Sequence, residues 1–364
     1  MICSSICNTA VIYFANFTHF TVLGKQTLKK ILIVTDAWEP QVNGVVRTLK
    51  MSRRELELMG HKVEFLSPLL FRSFPCPTYP EISLAFTSQR NVAKHIDAFA
   101  PDCLHIATEG PLGWLARNIA IKRGWAFTTA YHSRFPEYLH ARFRIPTRIS
   151  YSLLRKFHNA AHFNLTPTPS IVEDLRQRGF KNPRLWTRGV DFNMFRPDGS
   201  KIERGEGPIF LHVGRLAIEK QVDEFLKLDL PGEKWVAGDG PERKRLQKQY
   251  PNVRWFGVLD GASLATLYRS ADVFVFTSIT DTFGLVMLEA MACGTPVAGF
   301  PVAGPIDVVN PPFGGILDQD LRSACLAAMH VSREVVLQHA ATFNWKLASD
   351  QLLSALQPIN GNIV

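Results

Sequence analysis

The feature that most constrains this chain is an alternation of short apolar runs with helical patterns, interrupted once near the middle and then resumed. ILIV (31–34) leads through the loop TDAWEPQVNG into the helical pattern VVRTLKMSRRELELMG, which stops at Gly60, and then KVEFL follows. A strand, helix and strand in that order predict a parallel pair joined by a crossover. CLHIA (103–107), a helix over Leu112–Lys122, AFTTA (126–130), a basic helical stretch over Pro146–Ala161 and FNLTP (163–167) continue the series. After Val190 the chain turns polar and rich in Gly and Pro (DFNMFRPDGSKIERGEGP), which predicts a linker. The alternation restarts with IFLHVG (209–214), a helix near Gln221–Leu228, KWVAG, a helix Glu242–Tyr250 and VRWFG. A helix Ser263–Ala271, DVFVFT (272–277), a helix from near Gly284 and PVAGF (296–300) complete it. The expected fold is α/β: two Rossmann-like, doubly wound domains, 29–195 and 205–340, facing across a cleft. A ligand is expected where strand ends of both halves face one another. The segment 341–364 carries a last helix over Asn344–Leu356, which can pack on either half and so cross back to the first domain.

Residues 1–28 read differently. Thr9–Gly24 is apolar but holds Asn16 and His19 and is shorter than the ~20 residues of a spanning helix. It lacks a basic start and a small-residue cleavage site, so it is taken as a leader outside the fold, either a gene start placed too early or disordered. Six scattered cysteines (Cys3, Cys7, Cys76, Cys103, Cys293, Cys325) without a CxxC disfavour a disulfide scaffold or zinc ribbon and point to a reducing compartment. Charge is divided unevenly: residues 1–200 hold 26 Lys and Arg against 14 Asp and Glu, residues 201–364 hold 15 against 18. The first half is therefore expected to meet an anionic surface. His140–His162 concentrates this charge, with Arg142, Arg144, Arg148, Arg155 and Lys156 interleaved with Ile149, Tyr151, Leu153, Leu154 and Phe157. Such a face suits either anionic lipid or plain solvent over a core stripe.

Three clusters in the second half carry possible chemistry. HVGRLAIEK sets Gly214, Arg215 and Lys220 just past a buried strand, a fork of donors and a point charge suited to a diphosphate. VAGDGPERKRL holds Gly238, Asp239 and Gly240, where glycine serves a tight turn more readily than a close ligand approach. DVFVFTSITDTFGLVMLEAMACGTPV runs from strand through polar loop into a helix whose free N–H groups suit a phosphate. Asp281 and Glu289 lie eight apart, and a helix starting near Thr282 would put Glu289 two turns in; Asp281 could also be a plain N-cap. In the first half, WEPQVNGVVRTL offers Gly44 at a loop-to-helix junction but no GxGxxG, and TTAYHSRFPEY places His132 beyond a strand end. The histidines show no HExxH or other metal spacing, so no metal site is expected.

Together, the paired α/β halves, the Gly44 loop, His132, GRLAIEK, GDGPER and the D-x7-E run followed by AMACGTPVA resemble the GT-B glycosyltransferases of family GT4, over about Lys29–Leu356. TDAWEPQVNGVVRTL and YHSRFPEY are similar to the GDP-mannose-dependent α-mannosyltransferases and the glycosyl- and sulfoquinovosyl-diacylglycerol synthases. The resemblance implies a retaining, metal-independent hexosyl transfer from a nucleoside-diphosphate sugar, GDP-mannose or a UDP-hexose, to an acceptor hydroxyl. A membrane lipid such as diacylglycerol, or a lipid-linked saccharide, is the implied acceptor. It further implies that Arg215 and Lys220 hold the diphosphate, Glu289 the ribose and Asp281 the donor sugar, while His132 contacts the sugar near its reacting carbon. Gly214, Gly44 and the amides of Phe283, Gly284 and Leu285 would approach phosphate or sugar. Asp281 is one methylene shorter than the family's usual Glu, and Ser133 and Arg134 replace the Thr and acidic or His residues common after the histidine. No cofactor is expected, since the nucleotide sugar is a substrate. The expected location is cytoplasmic and peripheral at the inner membrane face, with no nucleic-acid partner. A nucleotide-sugar epimerase of GT-B-like fold and a non-enzymatic basic binding protein are the alternatives.

Overall fold

A computed structural model describes residues 28–41, 43–76 and 79–360; of the expected leader 1–28, residues 1–27 lie outside the described residues. In the first half the strands are β1 (Lys30–Val34), β2 (Lys62–Leu66), β3 (Ser73–Cys76), β4 (Tyr79–Ala85), β5 (Cys103–Ile106), β6 (Thr128–Ala130), β7 (Phe163–Thr166) and β8 (Pro183–Leu185). Between them run α1 (Gly44–Leu58), α2 (Gln89–Phe99), α3 (Pro111–Lys122), α4 (Phe135–Phe143), α5 (Thr147–His158) and α6 (Pro169–Gln177). The second half holds β9 (Ile209–Val213), β10 (Glu233–Ala237), β11 (Arg254–Gly257), β12 (Val273–Phe276), β13 (Val297–Gly299) and β14 (Gly315–Leu317). Its helices are α7 (Val222–Leu226), α8 (Arg243–Gln249), α9 (Gly261–Ser270), α10 (Leu285–Ala292), α11 (Pro305–Val309), α12 (Leu321–Ala328), α13 (Arg333–Ala340) and α14 (Trp345–Ala355).

The six strands of the first sheet pair in the order β2-β1-β5-β6-β7-β8, and those of the second in the order β11-β10-β9-β12-β13-β14. All pairs within these two sheets are parallel, with Ile31 opposite Val63 and Cys103, and Leu211 opposite Trp235 and Phe274. The inner strands β5, β9 and β12 are buried along their whole length because helices cover both faces, whereas the edge strands β2 and β11 carry exposed charge at Lys62, Glu64 and Arg254. Leu32, Val34, Leu104 and Phe157 pack on one side of the first sheet; Ile31, Ile33, Leu49 and Trp186 pack on the other. The second sheet is sandwiched likewise between cores containing Leu211, Phe274 and Met287 and Phe210, Val236 and Val275. The order of strands reverses between β1 and β5 in the first sheet and between β9 and β12 in the second. Loops leaving these strands diverge and open a crevice at their carboxyl ends. The antiparallel pair β3–β4 stands outside both sheets.

The last helix settles on the first half. Leu352 and Ala355 of α14, with Leu356 just after it, join the core of Ile31, Leu49 and Trp186, and the side chain of Asn344 caps the helix by accepting from Leu347 N at 2.8 Å. A Cβ on Gly189 would lie 2.3 Å from Trp345 N, so the chain crosses there with only a glycine between. The two halves also meet directly. The Thr282 hydroxyl donates to the His132 carbonyl at 2.6 Å, and the Thr168 hydroxyl to the Thr282 carbonyl at 3.3 Å. Asp307 Oδ2 accepts from Ser170 N at 3.1 Å, and Gly304 N donates to Ser170 Oγ at 2.9 Å.

Candidate active site

Both loops at the second sheet's reversal carry charge. After β9 the chain runs through Gly214 and half-buried Arg215 to a short 3₁₀ turn, Ile218–Lys220. After β12 it runs through Thr277 and Asp281 to Gly284. Lys220 Nζ donates to Asp281 Oδ1 at 2.6 Å, and each side chain is about one-fifth exposed, at 21% and 20%. Thr277 fixes the cation's backbone by donating its hydroxyl to the Lys220 carbonyl at 2.6 Å. Burial alone would lower the Lys220 pKa, but Asp281 and Tyr138 outweigh it and hold the ammonium above its usual range. Tyr138, reaching in from α4, is pushed up to about 12, chiefly by burial, with Lys220 acting in the opposite direction.

Asp281 is therefore not the cap of the following helix. Gly284 is, at φ 80°, in the left-handed region where its missing Cβ also avoids Phe276 Cζ at 2.9 Å. Because α10 starts at Leu285 and not near Thr282, Glu289 sits one turn into it and not two. That turn brings Glu289 beneath the helix start, 3% exposed, with Tyr268 OH donating to Oε2 at 3.1 Å. Arg47 of α1 donates to the other oxygen from the opposite half. Phe283 turns its ring into the second core against Phe343, leaving only its backbone toward the loop.

The first half presents its own helix start to this place. Asn43 caps α1, accepting from Val45 N and Val46 N at 3.0 Å each. A Cβ on Gly44 would lie 3.6 Å from Leu285 Cδ1, so the α1 and α10 starts face each other across the crevice. His132, past β6, is held by its carbonyl to Thr282, next to Asp281. Its imidazole Nδ1 lies 3.3 Å from Arg188 Nη2. Burial first, and then the Arg188 charge, keep its pKa well below the usual histidine value. Glu109, past β5, sets its Oε1 3.1 Å from His158 Nε2.

The structure thus gathers Gly44, His132, Lys220, Asp281, Gly284, Leu285 and Glu289 along one interlobe crevice, with Gly214 and Arg215 in its β9 loop. The GDG turn serves packing: a Cβ on Gly238 would lie 1.9 Å from the Gly214 carbonyl, and one on Gly240 2.3 Å from that of Leu216. The basic residues split. Arg148 and Lys156 are exposed on α5 beside Ile149 and Leu153, which are 57% and 55% exposed; Arg155 turns back to the Arg178 carbonyl at 3.1 Å. Arg142 lies exposed in the last turn of α4, and Arg144 ends that helix at φ 57°. Arg47, Tyr138, Tyr268 and Arg188 were not singled out from the sequence. Arg47 carried a signal, lying one helical turn after Gly44; Arg188 carried only its place before the linker.

Comparison with known proteins agrees with this arrangement. Residues 42–193 match the family model "Glycosyltransferase Family 4" and residues 198–323 match "Glycosyl transferases group 1". The GDP-mannose-dependent alpha-mannosyltransferase of Mycobacterium tuberculosis is 27% identical over 369 residues, covering 91% of this chain and 97% of that one. Sulfoquinovosyl transferase SQD2 of Arabidopsis thaliana is 34% identical over 256 residues, 65% of this chain but only 50% of that protein. Among solved structures, a sucrose-phosphate synthase from Thermosynechococcus elongatus superposes with TM-score 0.70 at 20% identity, covering 90% of this chain and 98% of that one. With both halves matched by these models and the crevice built as described, the chain belongs to the GT-B glycosyltransferases of family GT4 and is a glycosyltransferase.

Proposed function

We propose that the protein is a retaining, metal-independent hexosyltransferase that takes its sugar from GDP-mannose or a UDP-hexose and delivers it to a lipid hydroxyl. The observation that carries this reading is the Lys220–Asp281 pair at the second sheet's reversal, beside the facing starts of α1 and α10. A diphosphate in the crevice meets Lys220, Arg215 and the α10 amides, fixed charges that stabilise a departing phosphate without rearranging. Asp281 and the His132 imidazole then face the sugar. Glu289 receives the ribose hydroxyls, since each carboxylate oxygen keeps lone pairs beyond those used by Arg47 and Tyr268. In the step, the bond from C1 to the diphosphate oxygen breaks and the acceptor oxygen bonds to C1 on the same face. The acceptor proton passes to the departing phosphate oxygen, and no side chain forms a covalent intermediate.

The lipid part of the reading rests on α5. Arg148, Ile149, Ser152, Leu153, Arg155 and Lys156 line one shallow groove on the first half, mixing cations with exposed aliphatic side chains. Such a face lies on anionic headgroups while inserting Ile149 and Leu153. Among the described residues, no helix is long and apolar enough to cross a membrane. The names of the relatives support the donor class, and the resemblance to diacylglycerol glycosyl synthases supports the acceptor. The test is nucleotide release from GDP- and UDP-sugars, with and without diacylglycerol vesicles, in EDTA, followed by NMR of the product's anomeric proton. Acceptor-dependent release with retained configuration is expected. A sugar epimer formed without acceptor, or no release with any acceptor, overturns the reading.

A further inference from the structure

Arg188 is a buried cation with neutral neighbours. It is 3% exposed and stacks on Trp186, its Cζ 4.2 Å from the ring centroid. One end of its guanidinium donates to the carbonyls of Trp186 and Thr187, the latter at 2.9 Å. The other end, Nη2, lies 3.3 Å from His132 Nδ1. Placing a charge there is costly, and burial brings the Arg188 pKa down to about 9.

We propose that Arg188 is a positioning residue, which locks the His132 imidazole as its Nε2–H tautomer and so aims one N–H donor at a hydroxyl of the donor sugar. A guanidinium has donors and no acceptor, so His132 Nδ1 must present its lone pair to Nη2 and the ring proton must sit on Nε2. Trp186 meets the imidazole edge-on, centroids 5.7 Å apart at 68°, and blocks its rotation. The His132 carbonyl is tied to Thr282, one residue from Asp281, so the ring is held in the crevice and not merely near it. Nε2 is buried and has no protein partner. A buried donor left open in this way is explained by a ligand that completes it. The groups that face His132 are Arg188 beyond β8, His105 on β5 and His158 at the end of α5, and all act with burial against protonation. Glu109 bonds to His158 on its far side at 3.1 Å. The inference rests on the reading of His132 as a sugar contact.

The experiment is a long-range proton–nitrogen spectrum of the imidazoles in the full-length, nitrogen-15-labelled protein from pH 6 to 9, with the His132 signal identified by its loss in His132→Asn. In the wild type the signal is expected to be that of the Nε2–H tautomer throughout, without titration. In Arg188→Met the ring is expected to exchange between the Nδ1–H and Nε2–H tautomers, while burial still holds it neutral. Turnover is expected to fall about tenfold or more, with the loss in kcat and not in KM. Arg188→Lys, which keeps a donor, should keep the tautomer and recover part of the rate. A wild-type Nδ1–H signal, or an unchanged single Nε2–H tautomer in folded Arg188→Met, overturns the proposal. Should Arg188→Met not fold, the wild-type and Arg188→Lys spectra decide. If His132→Asn turns over at the wild-type rate, the sugar-contact reading and the aim of Nε2 fall together. An Nε2–H signal in the wild type would then still support Arg188 as the group that sets the tautomer.

Discussion

Lys220→Met separates what the Lys220–Asp281 pair does for stability from what it does for transfer. The substitution leaves the Asp281 carboxylate, 20% exposed, without its ammonium at 2.6 Å. Breaking a fully buried pair costs about 3–5 kcal/mol, and exposed pairs contribute about 0–1. At one-fifth exposure the expected cost is about 2 kcal/mol, a Tm lower by roughly 4–8 °C for a unit of this size. The backbone should hold, because Thr277 fixes the Lys220 carbonyl. Adding Asp281→Asn removes the stranded charge and should restore Tm to within about 2 °C of the wild type. Turnover behaves otherwise. Removing one fixed charge from a developing anion costs about 100- to 1000-fold in kcat, and a neutral asparagine cannot return it. Melting curves and nucleotide release on the same preparations give both quantities. The reasoning is refuted if the double variant regains turnover along with Tm, or if Lys220→Met keeps kcat within about threefold.

Gly238→Ala forces a Cβ to 1.9 Å from the Gly214 carbonyl at a residue with φ 128°, so a loss of about 3 kcal/mol or more is expected, with weakened nucleotide-sugar binding. An unshifted melting curve would contradict the packing role of the GDG turn. Asp36, behind β1, is pushed by burial up to about 6 from 3.8, despite accepting from Leu112 N at 2.9 Å, Gly113 N at 3.3 Å and the Thr108 hydroxyl at 2.9 Å. The folded state therefore holds this proton more tightly than the unfolded chain, and stability falls as pH rises from about 4 to 6, by up to ~3 kcal/mol, then levels. Urea midpoints of the wild type and Asp36→Asn should diverge over that window; parallel curves would rule out the assignment. Arg148→Ala with Lys156→Ala should weaken sedimentation with anionic vesicles about 30-fold, at ~1 kcal/mol per charge. The Lys156 carbonyl, which accepts from Arg117 Nη2 at 2.5 Å, is left in place. Unchanged sedimentation would assign α5 to solvent.

Local chemistry accounts for much of what the sequence showed. ILIV, IFLHV and VFVF are buried because a parallel sheet covered on both faces favours apolar residues, and that composition is visible without coordinates. Asn43, Asp260 and Asn344 announce helix starts through their own side chains. The start of α10 escaped this logic. Asp281 has the chemistry of a cap, but the cation that claims it comes from a loop 61 residues away. The short β3–β4 pair, set apart from both sheets, was likewise not expected.

The sequence by itself determined two doubly wound halves and the loops that bear Gly44, His132, Lys220, Asp281 and Glu289, because strand, loop and helix signals act over a few residues. Only tertiary structure decided that α14 returns to the first half, that Arg47 meets Glu289 across the crevice, and that Arg188 stands behind His132. Those choices depend on which surfaces come together when two sheets face each other. Partners 242 and 56 residues apart leave no periodicity for a chain to display.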